Sequence, residues 1–325
     1  MRTTATALLA LLGLAFAACG AETPDGDTPP DASRRLRIAV VPKGTTHEFW
    51  QAIRHGAQQA ADELGVEVLW KGPLEENDRL GQIQVVRQFV TQGVDGIALA
   101  PLDHKALVQP VAEAREKHIP VVVFDSALEG APGTDFASFV ATDNLEAGRI
   151  AGRRMAELLD GSGKVVMLRY QVGSASTLAR EQGFLEAIAA HPGLEMTSSD
   201  QYAGASIQSA KTKALNMLSV LREADGVFCP NESAIAGMLL ALRQEGLLDD
   251  VVLVGFDASQ ALVAGLRNRE IDALVLQDPV QMGYLATRSV IACARGEPVE
   301  PRIDTSIAVA TPDNIDDPEI QKLLQ

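Results

Sequence analysis

The chain is short of cysteine, of aromatic residues and of positive charge, and each shortage excludes something. Only 3 of its 325 residues are cysteine, too few for a disulfide framework. Cys229 and Cys293 lack metal-ligand spacing and are expected as buried free thiols. The 5 histidines, His47, His55, His104, His118 and His191, form no zinc pattern, and no metal or other cofactor is expected. Lysine and arginine total 28 against 43 aspartate and glutamate, a formal net charge of -15. Such a surface repels phosphate backbones and anionic lipid, which argues against nucleic acid and against a basic membrane-binding patch. There is no G-x-S-x-G, H-E-x-x-H or Walker A string. The glycine-rich GSGKVV at Gly161 precedes a strand-like run instead of following one, so it is not a dinucleotide loop. The remaining enzymatic reading is a glycosidase-type carboxylate pair of Asp125 and Asp257, and its signature would be glycoside turnover.

The only long apolar run lies at the start. Residues 1–18 carry a single charge, Arg2, followed by ATALLALLGLAFAA, which is short for a membrane span and ends in small residues, as a secretion signal does. Cys19 follows Phe16-Ala17-Ala18 and resembles the lipid-bearing cysteine of a bacterial lipobox, with Phe16 where leucine is usual. Residues 19–35, rich in Pro, Gly and Asp, cannot bury a core and are expected as a disordered tether. By random-coil scaling such a tether spans about 20 Å.

From Leu36 onward, strand-length apolar runs alternate with helical segments. The runs are LRIAVV, VEVLW, DGIALA, PVVVF, KVVMLR, DGVFCP, DVVLVGF and DALVLQ. Most are continuous rather than alternating, as in parallel strands buried on both faces. Phe49, Ile53, Ala57, Ala60 and Leu64 recur at helical spacing, with Gly65 placed as a C-cap. Ile235, Met238, Leu239 and Leu242 do the same before Gly246. Strand–helix alternation implies βαβ units and a parallel sheet. The pattern occurs twice, over about 36–124 and 164–277, and residues 131–142 break the rhythm between them. Two similar α/β lobes with a crossing between them create a cleft, a common place for a ligand.

Polar residues end several of the runs: Lys43, Asp125, Asn231, Asp257 and Gln277. Ligands of open α/β sheets bind beyond the carboxyl ends of the strands. Planar carboxylates and amides can bond adjacent hydroxyls, and a cation donates to hydroxyl and ring oxygens. Sugars also have flat C–H faces that an aromatic ring can cover. Phe49 and Trp50 stand beside His47 in a chain that is only 4% aromatic. Phe49 fits the helix's core stripe as well as ligand stacking, whereas Trp50 lies off that stripe. Each strand-end Asp or Asn could also simply cap the next helix, and His47 alone reads as solvated. Arg180, in SASTLAREQGFLEAI, reads alone as a surface helix charge.

In order along the chain, HEFWQAIRHGAQQAADELGV, DGIALAPLD, IPVVVFDS, FVATDNLEAGRIAG, AREQGFLEAI, VFCPNESAIAGMLLAL, VVLVGFDAS and LQDPVQMGY resemble the periplasmic sugar-binding proteins of the ribose, allose and galactose type. The resemblance covers residues 36–310. It implies the type I periplasmic binding protein fold, α/β with two Rossmann-like lobes of parallel sheet joined by a three-crossing hinge. The implied first lobe is 36–139 plus 278–299, the second is 140–277 plus 300–312, and 313–325 is a tail. Crossings are expected at 137–141, 277–279 and 298–302. The family's ligand contacts fall on Lys43, His47, Phe49, Trp50, Asp125, Arg180, Asn231, Asp257 and Gln277.

Several positions depart from the ribose binders. Ser126 stands where they carry an arginine, Lys43 where they have a small residue, and His47 where they have asparagine. A lysine at the first of the sites is more like the allose binder, which points away from ribose itself. Lys43 is expected to stand in for the missing cation at 126. Tyr202, in DQYAGASIQS, is a further candidate where the family often has an aromatic.

With His47 neutral, Lys43 and Arg180 balance Asp125 and Asp257, so a neutral sugar is the expected ligand. The implied partner is an ABC transporter permease, the implied state a monomer, and the implied location the periplasm or cell surface, with membrane contact only through Cys19. A sensor presenting sugar to a membrane receptor keeps the same fold. A transcriptional repressor shares the core but needs an N-terminal DNA-binding helix pair, and here that place holds an apolar run and an acidic tether.

Overall fold

Strand and helix alternate along most of the computed structural model, which describes residues 34–324. The expected signal segment, Cys19 and nearly all of the tether lie outside the described residues. The chain begins β1 (Arg37–Val41), α1 (Glu48–Leu64), β2 (Glu67–Trp70), α2 (Arg79–Gln92), β3 (Gly96–Leu99), α3 (Val108–Glu116), β4 (Val121–Phe124) and β5 (Ser138–Ala141). It continues with α4 (Asn144–Leu158), β6 (Ser162–Arg169), α5 (Ala175–Ala189), β7 (Gly193–Tyr202), α6 (Ile207–Asn216), α7 (Leu218–Leu221), β8 (Gly226–Phe228), α8 (Glu232–Glu245), β9 (Val252–Phe256), α9 (Gln260–Arg267) and β10 (Ala273–Gln277). It returns through α10 (Pro279–Ala294), β11 (Arg302–Asp304) and β12 (Ile307–Ala310), and closes with α11 (Pro318–Leu323). Helices α1 and α8 end at Gly65 and Gly246, whose left-handed backbone lets each cap N–H turn back onto the last turn.

The strands form two sheets with the same winding. The first runs β11-β5-β4-β3-β1-β2 and the second β12-β10-β9-β8-β6-β7. Every pairing is parallel except β10 with β12. Both sheets are buried on both faces, which explains the continuous apolar runs. In β4, Val121 and Val123 enter one core layer, and Val122 and Phe124 enter the opposite one. In β9, Leu253 and Val254 divide in the same way.

The chain passes between the sheets at three places, after β5, after β10 and after β11. Two of these differ from the sequence expectation. Ser138–Ala141 pairs with β4, so the first crossing falls at Thr142–Asp143 rather than within 137–141. Arg302–Asp304 pairs with β5, so the third falls at Thr305–Ser306 rather than within 298–302. These crossings touch: Thr142 Oγ1 lies 3.2 Å from Thr305 Oγ1 and donates to Gln277 Oε1 at 2.9 Å. Residues 313–325 are not a loose tail as far as they are described, because Ile315 and Ile320 sit in the second lobe's core. Cys229 is buried and Cys293 half-buried, both free thiols.

Candidate ligand-binding site

In each lobe the strand order reverses beside one strand, β1 in the first and β6 in the second. The carboxyl ends of such strands form the crevice where α/β sheets bind ligands. Lys43 lies just beyond β1, and its Nζ is 2.7 Å from the Asp125 carboxylate, with both side chains buried. The contact is an ion pair rather than an aligned hydrogen bond, since Asp125 Oδ2 has no hydrogen-bond partner. Lys43 Nζ also donates to Ser176 Oγ of the second lobe at 2.9 Å. Ser126, the position without the expected arginine, accepts from Ser176 N at 3.1 Å.

Asp125 and Asp257 occupy equivalent places. Each follows a central strand ending in Phe, and each adopts a left-handed backbone, φ 59 and φ 69. Each donates its N–H across to the next strand, Asp125 to Val140 O and Asp257 to Val275 O, both at 3.0 Å. Left-handed backbone costs an L-residue about 1–2 kcal/mol, and Asp and Asn are among the few non-glycine residues that visit it. The two strand ends hold that conformation and so aim both carboxylates into the crevice.

The rest of the first lobe's contribution is organised around Glu76, in the loop after β2. Glu76 is 5% exposed. It pairs with His47 Nδ1 and accepts from Trp50 Nε1 at 2.7 Å. It also accepts from Tyr170 OH, of the second lobe, at 2.7 Å. Burial disfavours the charged imidazole of His47, but its bond to Glu76 and the charges of Glu76, Glu232 and Asp257 outweigh this and raise it to about 9. Burial likewise opposes the Glu76 carboxylate, and His47, Lys43 and Trp50 outweigh it and hold the group at about 2. His47 is thus half-buried and held toward its charged form by Glu76, where the sequence alone suggested a solvated residue taken as neutral. Trp50 packs edge-on against Phe49 at 5.0 Å, and both rings line the cavity.

The second lobe presents a different arrangement. Arg180 is 2% exposed rather than a surface charge. Its Nε donates to Asn144 Oδ1 at 2.7 Å, its Nη1 to Pro230 O at 3.0 Å, and its guanidinium lies 4.5 Å over the Phe256 ring. Gly148 allows this placement, because a Cβ there would run into the Arg180 carbonyl. Arg180 Nη2 and Asn231 Oδ1 are buried without a hydrogen-bond partner. Asn231 is the N-cap of α8 but makes no capping bond; its Nδ2 donates to Ser233 Oγ at 3.1 Å. Gln277 Nε2 donates to Asp257 Oδ1 at 2.6 Å, and Glu232 N to Asp257 Oδ2 at 3.0 Å. Burial raises the pKa of Asp257 against the pull of Arg180 and Gln277. Burial also pushes Glu232 up to about 7, with His47 opposing and Asp257 adding to the rise.

All nine residues singled out in the sequence line one narrow cavity of about 30 Å³, joined by Glu76, Tyr170, Ser176, Thr177 and Glu232. Tyr202 is not among them. It stands 37% exposed at the end of β7, beneath Arg169, and faces a different groove. The second lobe's aromatic is Tyr170, one residue past β6, which the strand-end rule could have found. Glu76 had no such signal. The cavity therefore holds an ion pair, His47–Glu76, beyond the four charges expected.

A family model described as a periplasmic binding protein domain matches residues 38–298. The ribose import binding protein of Haemophilus influenzae is 28% identical over 282 residues, 86% of this chain and 92% of that one. A carbohydrate transporter solute-binding protein of Agrobacterium radiobacter, solved with D-arabinose, superimposes with a TM-score of 0.86 at 31% identity, covering 90% of this chain and 100% of that one. A solute-binding protein of Agrobacterium vitis, solved with D-fucose, gives 0.85 at 32% identity over 89% and 100%. With the doubly wound lobes and the cleft between them, these matches show that the chain belongs to the periplasmic binding protein family, as a type I, sugar-binding member.

Proposed function

We propose that the chain captures one neutral monosaccharide, an allose- or ribose-like pentose or hexose, closes over it, and delivers it to the permease of an ABC transporter. The observation that carries this is the pair of buried, unpartnered polar atoms, Arg180 Nη2 and Asn231 Oδ1, in a cavity whose other charges are engaged. A buried donor or acceptor left unmade costs about 1–3 kcal/mol, and adjacent hydroxyls could satisfy one donor and one acceptor together. Phe49 and Trp50 offer apolar surface for C–H faces. Lys43 with Asp125 and His47 with Glu76 are ion pairs, and the charge of Arg180 acts on Asp257 without a direct contact. Glu232 and Asp257 hold their protons more tightly than usual, so the cavity already disfavours added negative charge. An anion or a cation would leave a buried charge uncompensated. The sugars of the relatives, ribose, D-arabinose and D-fucose, are all neutral.

The family is one of solute-binding proteins rather than enzymes, and its place is extracytoplasmic. Cys19 as a lipid anchor, with a monomeric body, completes the proposal. A Cys19→Ser variant released from membranes, where wild type stays bound, would support the anchor, and equal partitioning would refute it. A thermal-shift screen over pentoses, hexoses, polyols and their phosphates tests the ligand class. At least one neutral compound should raise the midpoint, because ligand stabilisation grows with concentration over Kd. A response confined to phosphorylated or ionic compounds would overturn the reading.

A further inference from the structure

Helix α1 begins without a cap of its own. His47, its N-cap residue, makes no side-chain capping bond, and the first-turn N–H groups of a helix have no partner within it. One of them, Phe49 N, donates instead to Glu232 Oε2 at 3.2 Å. Glu232 opens α8, in the other lobe. The reverse contact lies beside it: Gln260 N, at the start of α9 in the second lobe, donates to Glu48 Oε2 at 3.0 Å, and Glu48 opens α1. Each lobe thus sets a carboxylate on a helix N-terminus of the other, where the helix dipole and the unpaired N–H groups both favour it.

The two contacts are unequal. Glu232 is 5% exposed, whereas Glu48 is exposed. Glu232 is also tied to the ligand cavity, since its own N–H bonds Asp257 and its neighbour is Asn231.

Building on the reading of the chain as a closing solute-binding protein, we propose that Glu232 and Glu48 form a reciprocal latch across the cleft, with Glu232 the principal positioning residue, and that it slows ligand release by capping α1 from the opposite lobe. Opening strips Phe49 N of its acceptor. Both partners regain water only once the lobes have parted. The latch therefore engages after the ligand has entered, so it acts on dissociation and leaves association unchanged.

Stopped-flow tryptophan fluorescence with D-ribose, D-allose, D-arabinose and D-fucose tests this on wild type, Glu232→Ala, Glu232→Gln and Glu48→Gln. Loss of this buried hydrogen bond predicts dissociation about tenfold faster in Glu232→Ala, with association within about twofold of wild type. Glu232→Gln keeps an acceptor oxygen and should fall between. Glu48→Gln should change dissociation by about twofold at most, as an exposed contact does. Unchanged dissociation in Glu232→Ala, or an equal loss in association, overturns the latch. Should that variant not fold, Glu232→Gln is read by the same split. If none of the sugars binds wild type, the proposed ligand class fails, and scattering from the unliganded proteins decides the latch: a larger radius of gyration in Glu232→Ala supports it, and equal radii overturn it.

Discussion

The two lobes are wound alike but contribute unlike halves of the cavity. In the first lobe the charges are matched among themselves: Lys43 with Asp125, and His47 with Glu76, which Trp50 and Tyr170 also bond. In the second lobe the guanidinium of Arg180 keeps one nitrogen free and Asn231 keeps its oxygen free. A half that is internally paired holds its shape whether or not a ligand is present. A half with open valences gains most when one arrives. The first lobe thus sets the form and neutrality of the cavity, and the second supplies the bonds a ligand completes.

The largest expected effect comes from the second lobe. Arg180→Ala removes the open donor and strands Asn144 Oδ1, Pro230 O and the charge of Asp257. A hydrogen bond to a charged group is worth about 1.5–3 kcal/mol, and Arg180 makes two besides its open donor, so calorimetry should show binding nearly abolished. A loss no larger than that of Lys43→Ala would erase the contrast between the lobes. Lys43→Ala should weaken binding by about 1.5–3 kcal/mol, the range for a charged hydrogen bond, because it removes the bond to Ser176 and leaves Asp125 without its cation. Lys164→Ala, remote from the cavity and paired with Glu223 on the surface, should leave binding unchanged.

Gly148→Ala sharpens the comparison without touching a polar group. Its Cβ would press on the Arg180 backbone. Overpacking of this kind costs about 1–3 kcal/mol. Chemical denaturation should show that loss, with ligand affinity falling alongside it. Unaltered affinity would mean that the placement of Arg180 tolerates displacement.

The first lobe's pairing also predicts a pH profile. His47 is raised to about 9 in the folded chain from its ordinary 6.5, so its stabilisation is complete below about 6.5 and is lost as pH rises through 9. Glu76 is lowered from 4.5 to about 2, so its stabilisation is complete above 4.5 and is lost as pH falls toward 2. Glu181 and Glu232, each raised from 4.5 to about 7 chiefly by burial, lose stabilisation as pH rises from 4.5 through 7. The thermal midpoint should therefore be highest in the mildly acid range and decline toward alkaline pH. His47→Gln should flatten the alkaline limb, and a wild-type midpoint that rises from neutral to pH 9 would contradict the pairing.

Most of the fold was legible because burial on both faces writes strands as unbroken apolar runs, as in Val121–Phe124. Two of the strands that were missed lack that imprint. Gly193–Tyr202 is a largely exposed polar edge strand, and Arg302–Asp304 is another edge strand of three residues. Missing Arg302–Asp304 and Ser138–Ala141 is what displaced the expected crossings. The strand-end rule found Lys43, Asp125, Asn231, Asp257 and Gln277, since the sheet itself places those residues. Arg180 came only from the family resemblance, because its burial depends on Gly148 in a separate helix. Glu76 left no trace, since its bond to Tyr170 joins residues 94 apart and no local pattern announces such a meeting. The charge count that omitted it reached a neutral ligand while misjudging His47.

A crystal structure with the sugar that most raises the thermal midpoint bears most directly on the division of labour between the lobes. It should show Arg180 Nη2 and Asn231 Oδ1 both bonded to the sugar, with Lys43–Asp125 and His47–Glu76 still paired. A sugar that bypasses Arg180 and Asn231, or that enters by breaking the first lobe's ion pairs, would contradict it.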